Sequence, residues 1–205
     1  MAEIVLVTGG CRSGKSDYAQ RLAESLPPTR LFVATCPVTD DEMRRRIEQH
    51  RLARADRGWQ TVEEQCDLAN VLRANGHHQV ALVDCISLWV NNLMFHADRE
   101  KGDSPHLCAA PYGPFRQMGT VPFSGRGLAE ADVAQECGSV LDAAEAVRGT
   151  VIFVTNEVGL GVVPENALAR RYRDLLGRAN QTIAARAGTV TLLCCGIPLH
   201  LKVKT

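Results

Sequence analysis

Aromatic residues are scarce in this sequence: two Trp, three Tyr and five Phe among 205 residues, 5% of the chain. Single strands of nucleic acid are held largely by bases stacked on aromatic side chains, so that class of partner is poorly served. Net charge is missing as well, with 23 Lys+Arg against 23 Asp+Glu. A balanced chain does not bind DNA through bulk positive charge, and no nucleic-acid partner is expected. No run approaches the roughly 18 apolar residues that a membrane span needs. The eight cysteines, at 11, 36, 66, 85, 108, 137, 194 and 195, contain no C-x-x-C pair, so the usual zinc and redox spacings are absent. Buried free thiols in a reducing cytoplasm are the expectation. The first residues run straight into an apolar stretch without a basic segment, so no secretory signal is expected and the location is read as cytoplasmic. No internal repeat is visible.

What is present is ordinary globular material, 45% apolar and 22% charged. At roughly 150 residues per domain, the length predicts a single domain over 1–205. Five short apolar runs read as buried strands: Ile4–Val7, Leu31–Ala34, Val80–Cys85, Val151–Thr155 and Val190–Cys195. Between them fall helical patterns over 14–25, 40–54, 68–73, 128–147 and 164–187. Continuous apolar strands alternating with helices imply an α/β fold, a mostly parallel sheet with helices on both faces. One stretch, His96–Arg126, has four Pro, four Gly and no period. It is expected to be a long loop insertion, an uncommon feature in a compact domain.

The clearest motif is Gly9-Gly10-Cys11-Arg12-Ser13-Gly14-Lys15-Ser16, which fits G-x-x-x-x-G-K-[ST] and lies between a predicted strand and a predicted helix. Glycines let the backbone curl so that successive N–H groups face one anion, and the helix N-terminus adds partial positive charge. Lys15 is then placed to reach the outer phosphates of a nucleotide, and the Ser16 hydroxyl to bind Mg2+. Asp84 ends the run Val80-Ala81-Leu82-Val83, which delivers a carboxylate to the carboxyl edge of the sheet as a second Mg2+ anchor. A plain strand-end turn residue is the bland alternative for it.

Thr39-Asp40-Asp41-Glu42 reads as a capping box opening an Arg-rich helix, on which Met43, Ile47, His50 and Arg54 share one face. A neutral imidazole is a competent nucleophile toward phosphorus, and nearby Arg side chains favour its neutral form and neutralise phosphate charge. Spacing alone favours a structural histidine at position 50. Asn156 and Glu157 follow a strand and also reach the carboxyl edge; Glu157 is placed to orient magnesium or a substrate hydroxyl. The alternative is that Gly159 and Gly161 only shape a turn and Pro164 starts a helix.

Several blocks together resemble one family, the bifunctional adenosylcobinamide kinase / adenosylcobinamide-phosphate guanylyltransferases of cobalamin biosynthesis. They are Val7 to Ser16, Ala34-Thr35-Cys36, Asp40 to Met43, Arg46-Ile47, His50-Arg51, Trp59 and Thr61, and the long block Thr155 to Asn166 with Leu168 to Arg170, Arg173-Asp174, Gly177-Arg178 and Asn180-Gln181. The resemblance covers about residues 3–95 and 128–203. It implies a two-step enzyme: ATP or GTP phosphorylates the aminopropanol hydroxyl of adenosylcobinamide, then GMP passes from GTP to that phosphate through a guanylylated histidine. That histidine maps onto His50, with Lys15 as the other catalytic residue. The family's nucleotide contacts map onto Gly9, Gly10, Cys11, Arg12, Ser13, Gly14, Lys15, Ser16, Ala34, Thr35, Cys36, Arg51, Leu52, Ala53, Arg54, Asp84 and a glutamate after Trp59, either Glu63 or its neighbour Glu64. Mg2+ on Ser16 and Asp84, a RecA-like P-loop fold and a homo-oligomer, a trimer, are implied too. Two other readings remain: a plain P-loop small-molecule kinase without guanylyl transfer, and a non-catalytic or nucleic-acid-binding ATPase.

Overall fold

The computed structural model describes residues 2–36, 45, 48, 52, 54, 57–97 and 127–204. Seven strands form one sheet: β1 (Glu3–Gly9), β2 (Arg30–Ala34), β3 (Trp59–Glu63), β4 (Val80–Asp84), β5 (Thr150–Val154), β6 (Thr189–Cys194) and β7 (Ile197–Lys202). Their order across the sheet is β3-β2-β4-β5-β1-β6-β7. Every neighbour pair is parallel except β6 with β7, a hairpin that closes one edge. The described helices are α1 (Lys15–Ser25), α2 (Leu68–Ala74), α3 (Ile86–Ala97), α4 (Glu130–Glu145) and α5 (Ala167–Arg186).

The inner parallel strands β1, β2, β4 and β5 are buried on both faces, which is why each reads as an apolar run. Successive residues point to opposite sides. Ile4, Leu6, Leu31, Val33, Ala81, Val83, Val151 and Phe153 face one way and pack with Trp89, Leu93, Leu141, Leu176 and Ile183 from α3, α4 and α5. Val5, Val7, Phe32, Val80, Leu82, Ile152 and Val154 face the other way and meet Ala19 and Ala23 of α1. Among the described helices, four cover one face and α1 the other.

Three elements go beyond the sequence expectation. Strand β3 is a half-exposed edge strand with a weak apolar pattern. Strand β7 contains Pro198, tolerated because an edge strand has unpaired N–H groups. Helix α3 is apolar nearly all round, so it carries no helical period and merges in sequence with the strand before it. His96 and Ala97, read as the start of a loop, are its last residues; residues 98–126 lie outside those described. Pro164 does not begin α5. Asn166 caps that helix, its Oδ1 accepting from the N–H groups of Leu168 and Ala169.

Candidate active site at the carboxyl edge of the sheet

The phosphate loop sits where the motif requires, between β1 and α1. A Cβ on Gly9 would lie 2.6 Å from the Leu193 carbonyl oxygen and 2.5 Å from Ser13 Oγ, so only glycine lets the loop pass this close to β6. Gly14 is the N-cap of α1 with φ 86, a left-handed conformation, and gives the helix no side-chain cap. The first N–H groups of α1 are thus left to an anion. Arg12 is also left-handed, with φ 55. Ser13 N–H donates to the Gly10 carbonyl (3.3 Å), and Gly196 N–H, from the β6–β7 turn, donates to the Ser13 carbonyl (3.0 Å). Lys15 Nζ folds back and donates to the Gly10 carbonyl at 3.2 Å. Thr8 Oγ1 and Ser13 Oγ are enclosed without a hydrogen-bond partner among the described residues.

Asp84 ends β4 on the same side as Val80 and Leu82, which belong to the face covered by α1. Its carboxylate therefore shares the α1 side with Lys15 and Ser16. The thiol of Cys85 follows Asp84 at this edge and is buried. It is pushed up to about 11, first by burial and then by the negative charge of Asp84, with the Lys15 ammonium opposing. Both charges thus act on one buried sulfur. Ser16 and Asp84 offer hard oxygen donors of the kind Mg2+ prefers, and one carboxylate plus phosphate oxygens and water is its usual coordination in nucleotide sites. Among the described residues there is no cluster of three or more His, Cys, Asp or Glu to hold a metal without a nucleotide.

The other expected contacts divide. Ala34 ends β2 beside Asp84 in register, and Glu63 ends β3 beside Ala34, so these strand ends converge on one edge. Glu64 Oε1 accepts from the N–H groups of Cys66 (2.8 Å) and Asp67 (3.0 Å), and Glu63 stands at the strand end itself. Thr35 is fully buried, and all its polar groups are engaged within the protein. Its N–H donates to Asp84 O, its hydroxyl bridges the N–H and C=O of Cys85 at 2.8 Å each, and its C=O accepts from Asn92 Nδ2 at 2.9 Å. Thr35 thus enters the site as the support of the Asp84–Cys85 junction. Cys36 is half-buried and Cys11 exposed.

Arg45, Glu48, Leu52 and Arg54 are helical; the first three, spaced i, i+3, i+7, are exposed, and Arg54 is buried. Arg54 is 4% exposed, and its guanidinium carbon lies 3.6 Å above the centre of the Phe32 ring, a cation–π contact on the α1 side of the sheet. His50, Arg51 and Ala53 lie outside the described residues. The seven described cysteines are free thiols, but only Cys66, Cys85 and Cys137 are buried; Cys11, Cys194 and Cys195 are exposed. The expectation of buried thiols therefore fails at those three, which sit in the phosphate loop and the β6–β7 turn.

One set of residues at this edge was not assembled from the sequence. Asn156 Nδ2 donates to Ser87 Oγ (2.8 Å), which is 2.9 Å from Cys85 Sγ. Thr155 Oγ1 donates to Asn180 Oδ1 (2.7 Å), and Asn180 Nδ2 donates to the Asn156 carbonyl (3.0 Å). Tyr172 OH donates to the Ser87 carbonyl (3.1 Å); burial, then the neighbouring Cys85, pushes its hydroxyl up to about 12. Ser87, between Ile86 and Leu88, was the one local signal, because buried polar groups need partners; Asn156, Tyr172 and Asn180 have polar neighbours in sequence and gave none.

Residues 5–201 match the family described as cobinamide kinase / cobinamide phosphate guanyltransferase. The bifunctional adenosylcobalamin biosynthesis protein CobU of Escherichia coli K12 is 36% identical over 200 residues, covering 97% of this chain and 99% of that protein. CobU of Salmonella typhimurium LT2 matches at the same identity and coverage. CobP, the bifunctional adenosylcobalamin biosynthesis protein of Pseudomonas aeruginosa, is 37% identical over 198 residues, 96% of each chain. With the phosphate loop, the Asp84 strand end and the Asn156–Asn180 network all inside the matched span, the chain belongs to the cobinamide kinase / cobinamide phosphate guanyltransferase family.

Proposed function

We propose that this chain phosphorylates the aminopropanol hydroxyl of adenosylcobinamide with ATP or GTP, and then transfers GMP from GTP to that phosphate through a guanylylated His50, releasing pyrophosphate. The observation that carries the first step is the convergence of the loop N–H groups, Lys15 and Asp84 on the α1 side of one sheet edge, in a chain matched to the family nearly end to end. Phosphoryl transfer needs positioning and neutralised charge more than covalent help from the protein. The loop N–H groups and the α1 N-terminus hold the phosphates. Lys15 leaves the Gly10 carbonyl to meet the outer ones. Ser16 and Asp84 are the residues we assign to Mg2+, which when bound draws negative charge from the phosphate oxygens. For the second step, the His50 imidazole attacks the α-phosphorus of GTP; the bond to the β-phosphate oxygen breaks, and the guanylate then passes to the cobinamide phosphate oxygen.

The same reading assigns nucleotide contacts to Ala34, Cys36, Glu63 and the 51–54 segment. It makes the molecule a homo-oligomer, a trimer by family resemblance; Ile197, Leu199, Leu201 and Val203, exposed along the β7 edge, support self-association. No helix among the described residues is long and apolar enough to cross a membrane, and we assign the chain to the cytoplasm.

Incubation with α-labelled GTP tests the reading. A GMP–protein adduct that is acid-labile and base-stable is expected, mapped to residue 50 by mass spectrometry. His50→Ala should abolish it and leave cobinamide phosphorylation largely intact. An adduct that survives in His50→Ala defeats the assignment. Cobinamide phosphorylation without any labelled protein reduces the chain to a plain kinase.

A further inference from the structure

Beyond β5 the chain displays apolar side chains that the fold does not use. Leu160, Val162 and Val163 are 84%, 94% and 58% exposed. Single surface leucines are common, but three large apolar side chains within four residues, held out to water, mark a binding surface. The loop that carries them is pinned at both ends. Glu157 N–H donates to the carbonyl of Gly9, the first residue of the phosphate loop, at 3.1 Å, and Glu157 Oε1 accepts from Gly159 N–H at 3.2 Å. At the far end, Arg170 Nη1 donates to the carbonyls of Pro164 and Glu165. The apolar surface is therefore anchored directly beside the phosphate site.

Asn156 precedes this loop and lies in the gap between β1 with its phosphate loop and β4 with Asp84, because β5 is the strand between them. Ser87 holds its amide nitrogen and Asn180 its carbonyl. Its Oδ1 is enclosed and has no hydrogen-bond partner among the described residues. A fixed, enclosed amide oxygen without a donor is a place for one to arrive.

We propose that residues 156–163 are the acceptor side of the kinase site. Asn156 Oδ1 receives the hydrogen bond of the substrate alcohol, and Leu160, Val162 and Val163 receive the apolar flank of the large molecule that bears it. This rests on the cobinamide reading and adds to it the residues that bind that substrate. The alcohol oxygen forms a bond to the γ-phosphorus, the bond from that phosphorus to the β–γ bridging oxygen breaks, the nucleoside diphosphate leaves, and the alcohol proton passes to water. A neutral amide orients the O–H and takes no proton.

Two variants test this, with cobinamide and ATP as substrates for kinetics and α-labelled GTP alone for adduct formation. The double variant Leu160→Ser/Val162→Ser should raise KM for cobinamide by about tenfold or more, with KM for ATP, kcat and the GMP adduct as in the unaltered protein. Asn156→Ala should lower kcat about a hundredfold with KM for ATP unchanged; should it fail to fold, the loop variant decides alone. An unchanged KM for cobinamide in the loop variant overturns the proposal. So does a parallel rise in KM for ATP, or a changed oligomeric mass by light scattering, which would make these side chains a subunit contact. An unaltered protein that forms the adduct but phosphorylates no cobinamide removes the kinase reading and this proposal with it; one that phosphorylates cobinamide, alongside a loop variant of unchanged KM, removes the proposal alone.

Discussion

Among the described residues, the two faces of the sheet are unequally covered. On one, α2, α3, α4 and α5 bury Trp89, Phe153, Leu141 and Leu176 completely, and Trp89 Nε1 donates to the Cys66 carbonyl at 2.6 Å. On the other, α1 is joined by Arg54 lying over Phe32. The groups we assign to chemistry, Lys15, Ser16 and Asp84, belong to the thinner face. Among the described residues the apolar core is concentrated on the first face, and the strand ends and α1 terminus that we assign to the nucleotide lie on the second.

Substitutions can break or sharpen that contrast. Phe153→Ala on the thick face should cost about 3–5 kcal/mol, read from urea unfolding, with unchanged KM values in what remains folded. Lys15→Ala on the thin face should leave stability nearly untouched yet lower the kinase kcat/KM by about 10²–10³, roughly 3–4 kcal/mol of transition-state binding. Phe32→Leu removes the ring under Arg54; a loss of about 1–2 kcal/mol is expected, and a lower yield of the GMP adduct should accompany it while cobinamide phosphorylation persists. A Phe32→Leu protein with normal adduct yield would separate Arg54 from the second step.

The smallest effect is expected at Glu136, back on α4. Burial, then the charges of Asp67 and Asp132, raises its carboxyl above the ordinary value. Its ionised form is disfavoured in the folded state, so the destabilisation is fully present above the raised value and vanishes as pH falls below the unfolded one. Glu136→Gln should therefore raise Tm slightly at pH 7, with the gain fading toward pH 4.

Much of the centre was legible in the sequence, because parallel strands buried on both sides must be apolar throughout. The phosphate loop was legible because only glycine at positions 9 and 14 allows that backbone. The edges were not: β3 and β7 have one neighbour each, so packing barely constrains their composition. Helix α3 escaped because burial on every side erases periodicity. Thr35 was read as a nucleotide contact by resemblance, yet its hydroxyl serves Cys85, a pairing across 50 residues that no local pattern reveals. The network of Ser87, Asn156, Tyr172 and Asn180 was hidden for the same reason.

The tie between Gly196 N–H and the Ser13 carbonyl spans most of the chain. During synthesis the glycine-rich turn emerges from the ribosome long before the hairpin that braces it. A chain lacking that hairpin lacks this tie on the anion cradle, so nucleotide affinity is expected to rise once the hairpin has docked. Such a distant closure also predicts folding slowed by the entropy of bringing the two ends of the sequence together.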